Sequence, residues 1–282
     1  MTVYIRNNNN EFRIENNEIN IRDFHTQSII MGGIYNDSEY NTNITIKTNS
    51  DNKKIGYITH IKYEPECSLN SVLERGGGMV EMVKLAIQYV SKIYPEITTF
   101  ELQDTSNIEC DKIDMTITFP PRKIIKPLSL SSLYILLYGK TWYELHFNAR
   151  MINNELYNIY KREIHKLGLP INKPLTDIQK YVCDNDKYEK LRQYYDANKS
   201  WHEFFNKIPK NRRCELLYNW IPEFVSDKIY NLHMSNKWVI DVDNMEKTYM
   251  QIIDKPTQNP KRGGGKAKNK IIIRNDLQHC NF

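Results

Sequence analysis

The stretch Leu73-Glu74-Arg75-Gly76-Gly77-Gly78, followed by Met79 to Ile93, decides how this chain is read. Just upstream, Ile55 to Tyr63 (IGYITHIKY) alternates like a strand, with Ile55, Tyr57, Thr59 and Ile61 on one face and Ile58 and His60 on the other. Downstream, Met79, Met82, Val83, Ala86, Val90 and Ile93 fall at helical spacing. Glu81, Lys84, Gln88 and Lys92 form the opposite stripe, and Tyr94-Pro95 closes the helix. Thr98 to Leu102 then reads as a second strand. Strand, glycine run, helix, strand is an order in which a ligand can sit at the helix start. The first helical N–H groups have no intrahelical partner there, and the helix dipole favours an anion.

Working outward, residues 1–50 read as short strands between Asn- and Asp-rich turns: Val3 to Ile5, Phe12 to Ile14, Ile19 to Ile21 and Ile44 to Ile46. Ser28 to Ile34 is the most apolar run, and its Gly32-Gly33 pair predicts a bulge or turn. Met115 to Phe119 reads as a further strand before Pro120-Pro121. From about Ser129 the pattern turns helical. Ser129 caps a run to Tyr138 that Gly139 ends, Thr141 caps Trp142 to Phe147, and Ser200 opens Trp201 to Phe205. Met151 to Leu167, Thr176 to Val182, Asp186 to Ala197 and Arg213 to Val225 complete the helices, and Trp238 to Ile240 is a last strand. The expected fold is α/β (α+β): a mixed, mostly antiparallel sheet with a glycine-loop helix over residues 1–127, a mainly helical region over 128–254, and a basic tail over 255–282.

Composition narrows the function classes. Hydrophobic residues make up 40%, enough for a core. The net charge of +5 is a property of the tail, because residues 255–270 carry six cations and no acid, leaving −1 for the rest. A folded body of that balance argues against a broad basic nucleic-acid face. Lys261, Arg262, Lys266, Lys268 and Lys270 surround a Gly-rich, disorder-prone stretch suited to non-specific, salt-sensitive phosphate-backbone binding or to solubility alone. No apolar run approaches the roughly 18 residues of a membrane span, and Met1 to Arg6 lacks a signal-peptide core. The five cysteines are scattered and odd in number, which predicts free thiols in a reduced, intracellular protein and no zinc site. The histidines show no metal-ligand spacing, and none is paired by spacing with Cys110 and Asp111 for a Cys–His–Asp arrangement. His60 reads as a packed or solvated strand residue.

The glycine run lacks the Lys-Ser or Lys-Thr of a P-loop and the GxGxxG of a dinucleotide fingerprint. Gly139-Lys140-Thr141 is no P-loop either, since Tyr134 stands where the upstream glycine belongs. Arg75-Gly76-Gly77-Gly78-Met79-Val80 does resemble the acyl-CoA loop of the GNAT acetyltransferase superfamily, Gln/Arg-x-x-Gly-x-Gly/Ala, departing from it at Val80. The resemblance covers at most residues 40–140. It implies acetyl-CoA or another acyl-CoA as cofactor, no metal, and a pyrophosphate held on the amides of Gly76 and Gly78. It further implies Glu64 or Glu66 as acceptor of the amine proton, and Tyr134 or Tyr138 as donor to the leaving thiolate. The segments Tyr138 to Glu144 and Ser200 to Phe205 look similar to segments of uncharacterised proteins of large DNA viruses, and the richness in Asn, Ile, Lys and Tyr fits an A/T-rich genome. That points to a host-cytoplasm or virion protein and to a non-enzymatic alternative, in which the aromatic helices contact protein partners and the tail contacts nucleic acid. The bland alternative for the glycines is a tight turn before a helix.

Overall fold

The computed structural model describes residues 2–7, 10–21, 24–31, 42–48, 53–61, 77–104, 106–113, 123–171, 175–229, 237–247 and 250–253. Its strands begin with β1 (Thr2–Asn7), β2 (Asn10–Ile21), β3 (Phe24–Met31), β4 (Thr42–Thr48) and β5 (Lys54–Ile61). Helix α1 (Gly77–Ile93), β6 (Thr99–Gln103), β7 (Asn107–Ile113) and β8 (Lys123–Ser129) follow. Then come α2 (Leu130–Tyr138), α3 (Trp142–Phe147), β9 (Arg150–Met151), α4 (Asn154–Leu167), α5 (Thr176–Gln179), α6 (Asn185–Arg192) and α7 (Trp201–Lys207). The chain continues through α8 (Arg213–Leu217), α9 (Ile221–Lys228), β10 (Lys237–Asp241) and β11 (Gln251–Ile253). The fold is α+β, a mostly antiparallel mixed sheet with a helix begun by glycines, followed by a mainly helical region.

Two compact units divide the chain: Met1–Leu102 with Val239–Phe282, and Gln103–Trp238. The boundary expected at residue 127 falls inside β8, which pairs antiparallel with β7 in the second unit. The residues after 238 return to the first unit, because β11 pairs antiparallel with β1. Sequence order carries no trace of such a non-local pairing.

In the first unit the sheet runs β11-β1-β2-β3-β4-β5-β6-β10. β1 to β5 form an antiparallel meander. The two stretches read as separate strands at Phe12 and Ile19 are one strand, β2. In β4, Thr42, Ile44 and Ile46 are buried and alternate with less buried Asn43 and Thr45, the period of a half-buried strand. The register slips between Asn43 and Ile44, which pair with His60 and Ile58, so Thr59 is the extra residue of a bulge. Its hydroxyl donates to the Asn43 carbonyl at 3.3 Å.

Helix α1 packs on β4. It is buried on nearly every side: besides the predicted stripe as far as Val90, Leu85, Ile87 and Tyr89 are interior, while Ile93 at its end is exposed. Lys84, placed by its spacing on the polar stripe, is buried as well, and its ammonium is matched by Glu246 Oε2 at 2.7 Å. That ion pair ties α1 to the returning C-terminal segment of the same unit.

In the second unit local chemistry fixes the helix ends. Ser129 Oγ accepts from the Ser132 amide at 3.2 Å, and Gly139, at φ 66°, closes α2 in the left-handed conformation that glycine adopts without strain. Thr141 and Ser200 each form a full capping box, with Glu144 and Glu203 respectively. The single helix expected over Arg213 to Val225 is two. The chain breaks at Asn219, φ 77°, and α9 restarts with Pro222 in its first turn, where a missing N–H costs nothing. The core here is aromatic: Trp201, Phe204, Phe205, Trp220 and Phe224 are buried in edge-to-face contacts such as Trp201–Phe224 at 5.0 Å.

Candidate functional site

The sheet changes sense at β5. After four antiparallel pairings, β5 pairs parallel with β6, matching Gly56 with Phe100, Tyr57 with Glu101 and Ile58 with Leu102. Helix α1 is the crossover between them. A crevice outside the carboxyl ends of such strands, where the order or sense changes, is the usual ligand position in sheets of this kind. Gly77 and Gly78 form the first turn of α1 itself rather than a loop ahead of it. No acid lies in that turn, and Lys92 lies in the last. The first turn of the helix thus supplies no carboxylate of its own to its amides, and two of its first residues carry no side chain. Met79 is buried and Val80 half-buried. Arg75 and Gly76, and the proposed proton acceptors Glu64 and Glu66, lie outside the described residues, as do Met115 to Phe119 and the tail cations Lys261, Arg262, Lys266, Lys268 and Lys270.

Tyr134 and Tyr138 lie on α2 in the second unit, their rings 5.1 Å apart. Tyr134 is buried, and burial first, then the neighbouring Tyr138, pushes its hydroxyl up to about 12, against the Arg213 cation that pulls it down. Tyr138, the last residue of α2, is 44% exposed, so of the two it is the one open to solvent. The aromatic segments proposed for partner contact are interior instead: Trp142, Tyr143, Phe147, Trp201, Phe204 and Phe205 are all buried. Their large apolar area fills the core of this unit. From the same stretches Tyr138 and Leu145 remain exposed.

Three buried charged side chains lie in the second unit. Asp104 follows β6 directly and is 2% exposed. Its Oδ1 accepts from the Ser106 amide at 3.2 Å and from Ser106 Oγ at 2.5 Å, while Oδ2 is buried without a partner among the described residues. Burial raises its pKa, and the Ser106 hydrogen bonds oppose the rise. Tyr143 is raised too, by burial and then by the charge of Asp104. The Asp104-Thr105-Ser106 stretch, after a strand, was the available signal.

Glu144 is the opposite case. It accepts from the Thr141 amide at 2.8 Å and from the Tyr157 hydroxyl at 3.1 Å, accepts a short hydrogen bond from the Tyr160 hydroxyl, and lies 3.6 Å from Lys161 Nζ. Burial, then the Glu144 charge, holds both tyrosines well above their usual range. A carboxylate so occupied fastens α3 to α4. Thr141-x-x-Glu144 announces its capping half only.

Arg213 is 6% exposed. Its Nε donates to the Ile208 carbonyl at 3.2 Å, and its Nη1 is buried without a hydrogen-bond partner among the described residues. Next to it, Cys214 forms a disulfide with Cys110 on β7. This corrects the expectation of free thiols, at least for that pair, and removes Cys110 as a nucleophile. Cys183 is free and exposed. His202 is a helix-capping residue: its Nδ1 hydrogen-bonds the Leu136 carbonyl at 2.8 Å, beside Asn206 Nδ2, which donates to Leu137 O at 2.8 Å. Both satisfy carbonyls at the end of α2.

Among the described residues no three His, Cys, Asp or Glu converge as metal ligands, and no helix is long and apolar enough to cross a membrane. No family model, curated protein or solved structure matches the chain.

Proposed function

We propose that the first unit binds an acyl-CoA through its pyrophosphate at the start of α1, and that the chain is an acyl-CoA-dependent N-acyltransferase or a relative that kept the binding fold without catalysis. The observation that carries this reading is the parallel β5-α1-β6 step at the end of an antiparallel meander, with two glycines and no acid on the first helical turn. Unpaired amides on a helix dipole are a ready seat for a diphosphate. The Arg75 to Val80 resemblance supplies the ligand class. In that reaction the amine nitrogen attacks the thioester carbonyl and gives up a proton to Glu64 or Glu66, the C–S bond breaks as the amide forms, and the departing CoA thiolate takes its proton from Tyr134, Tyr138 or water.

Thermal unfolding with acetyl-CoA tests the proposal. Ligand at 100 times its dissociation constant stabilises by about 2.7 kcal/mol, read as a rise in Tm. Gly78→Glu abolishes the rise by placing a carboxylate among the amides. A glutamate in the first turn favours the helix by about 0.3–1 kcal/mol, so the loss reads as lost binding rather than lost fold. The absence of any shift at millimolar acetyl-CoA refutes the proposal.

A further inference from the structure

The Cys110–Cys214 bond joins two elements that each have a footing of their own. Cys110 stands midway along β7, opposite Lys126 of β8. On one side of it, toward Asn107 and Ser129, the paired strands pack against α2. Ile108 and Leu128, opposite each other there, are buried, and the Leu130 amide donates to the Ser106 carbonyl at 3.0 Å. On the other side the ladder continues for three more residue pairs, to Ile113 and Lys123. A two-stranded ladder is marginal by itself, and the disulfide fixes this one at its middle. Cys214 is the second residue of α8. That helix is seated by Leu216 and Leu217, both fully buried, and by Trp220 Nε1, which donates to the Leu216 carbonyl at 2.7 Å. Lys190 Nζ of α6 lies 3.2 Å from Glu215 Oε1. Opening the bond therefore removes the tie and leaves both footings in place. The two cysteines also differ in access: Cys110 is 4% exposed, whereas Cys214 is half-buried.

We propose that the disulfide is a redox-operated staple, opened and closed in the folded protein, that sets how firmly the outer half of the β7–β8 pair is held. A thiolate of a small dithiol attacks the sulfur of Cys214, the more accessible of the two, and forms a mixed disulfide with it. Cys110 leaves as a thiolate and takes up a proton. The second thiol of the reductant then displaces Cys214, which is protonated in turn, and the dithiol becomes a disulfide. Two electrons pass to the protein, and a disulfide oxidant such as oxidised glutathione reverses the sequence. The opened state keeps α8 and the α2-facing part of the strands, and it loses the restraint on residues 111–113 and 123–125, which then open locally more often. Both cysteines belong to the second unit, so the staple does not rest on acyl-CoA binding at α1.

The test is hydrogen exchange of the full chain in native buffer, read by mass spectrometry with and without dithiothreitol. Alkylation of Cys110 and Cys214 reports the opened bond, and Cys183, free and exposed, is the labelling control. Dithiothreitol should open the bond while the protein stays folded. Exchange at residues 111–113 and 123–125 should then rise at least tenfold, exchange in α8 should stay as it was, and oxidised glutathione should restore the starting pattern. Cys214→Ser should show the open pattern permanently and no response to dithiothreitol. Cys110→Ala should do the same, and serves if the serine variant does not fold. The proposal is overturned if the bond resists the dithiol until the protein unfolds, if exchange in the two strands does not change or rises equally throughout the second unit, or if either variant keeps the closed pattern.

Discussion

Asp104 and Glu144 are both buried carboxylates, and their neighbours make them physical opposites. Glu144 has donors on both oxygens, so its charge is compensated. Asp104 has donors on one oxygen only, and the other is buried with no described partner. Its pKa is raised above the ordinary value of 3.8, chiefly by burial. From pH 3.8 up to that raised value the native state therefore holds more protons than the unfolded chain, and stability falls as pH rises through this window. Asp104→Asn keeps an acceptor for Ser106 and cannot ionise. Its unfolding free energy should lose that downward slope, gaining on wild type as pH rises from 4 toward 7 and converging with it in more acid solution. Parallel pH profiles for the two proteins would show that Asp104 does not titrate abnormally. None of this is visible in the string Asp104-Thr105-Ser106, because burial comes from residues distant in sequence.

At the scale of elements, what could be read from sequence was what local chemistry determines. Ser129, Thr141 and Ser200 mark helix starts through side-chain to backbone hydrogen bonds three residues long, and Gly139 marks an end through its own φ. The alternation of β4 and the extent of α1 were equally readable, but not the burial of α1 on nearly every side. The break at Asn219 was not, since an asparagine in the left-handed region is a choice made by packing on either side of it. Nor was the parallel pairing of β5 with β6, which joins residues more than forty apart. That pairing explains Gly56. It lies opposite Phe100, which is fully buried, and a Cβ added at Gly56 would stand 2.5 Å from Phe100 Cδ1. Gly56→Ala should destabilise the protein by about 1–3 kcal/mol, the usual range for overpacking a core, measured as a lower urea midpoint. An unchanged midpoint would mean that Phe100 has room to turn away.

For the whole molecule, the fold class was readable and the division into units was not. Periodicity and turn residues suffice to announce a strand-rich beginning and a helical continuation. They cannot announce that β11 returns to β1, or that cysteines 104 residues apart in sequence are joined. Scattered, odd-numbered cysteines carry no pairing information. Closing so long a loop restricts the unfolded chain, so Cys110→Ser or reduction should lower stability by about 2–5 kcal/mol. Peptide mapping without reductant should recover Cys110 linked to Cys214. Full alkylation of both thiols in the native protein, with no change in Tm, would contradict the bond. The candidate site was readable only in part. The glycines before a helix were evident in the sequence, but their place inside its first turn, at the point where the sheet changes sense, depends on strand pairing.

The central claim is that the start of α1 holds the diphosphate of an acyl-CoA, and isothermal titration calorimetry tests it most directly. Acetyl-CoA should bind with one-to-one stoichiometry, and S-acetylpantetheine, which keeps the thioester and lacks the diphosphate and nucleotide, should bind at least tenfold more weakly. No binding heat from acetyl-CoA at millimolar concentration at two temperatures, or equal affinity for the two compounds, would contradict it.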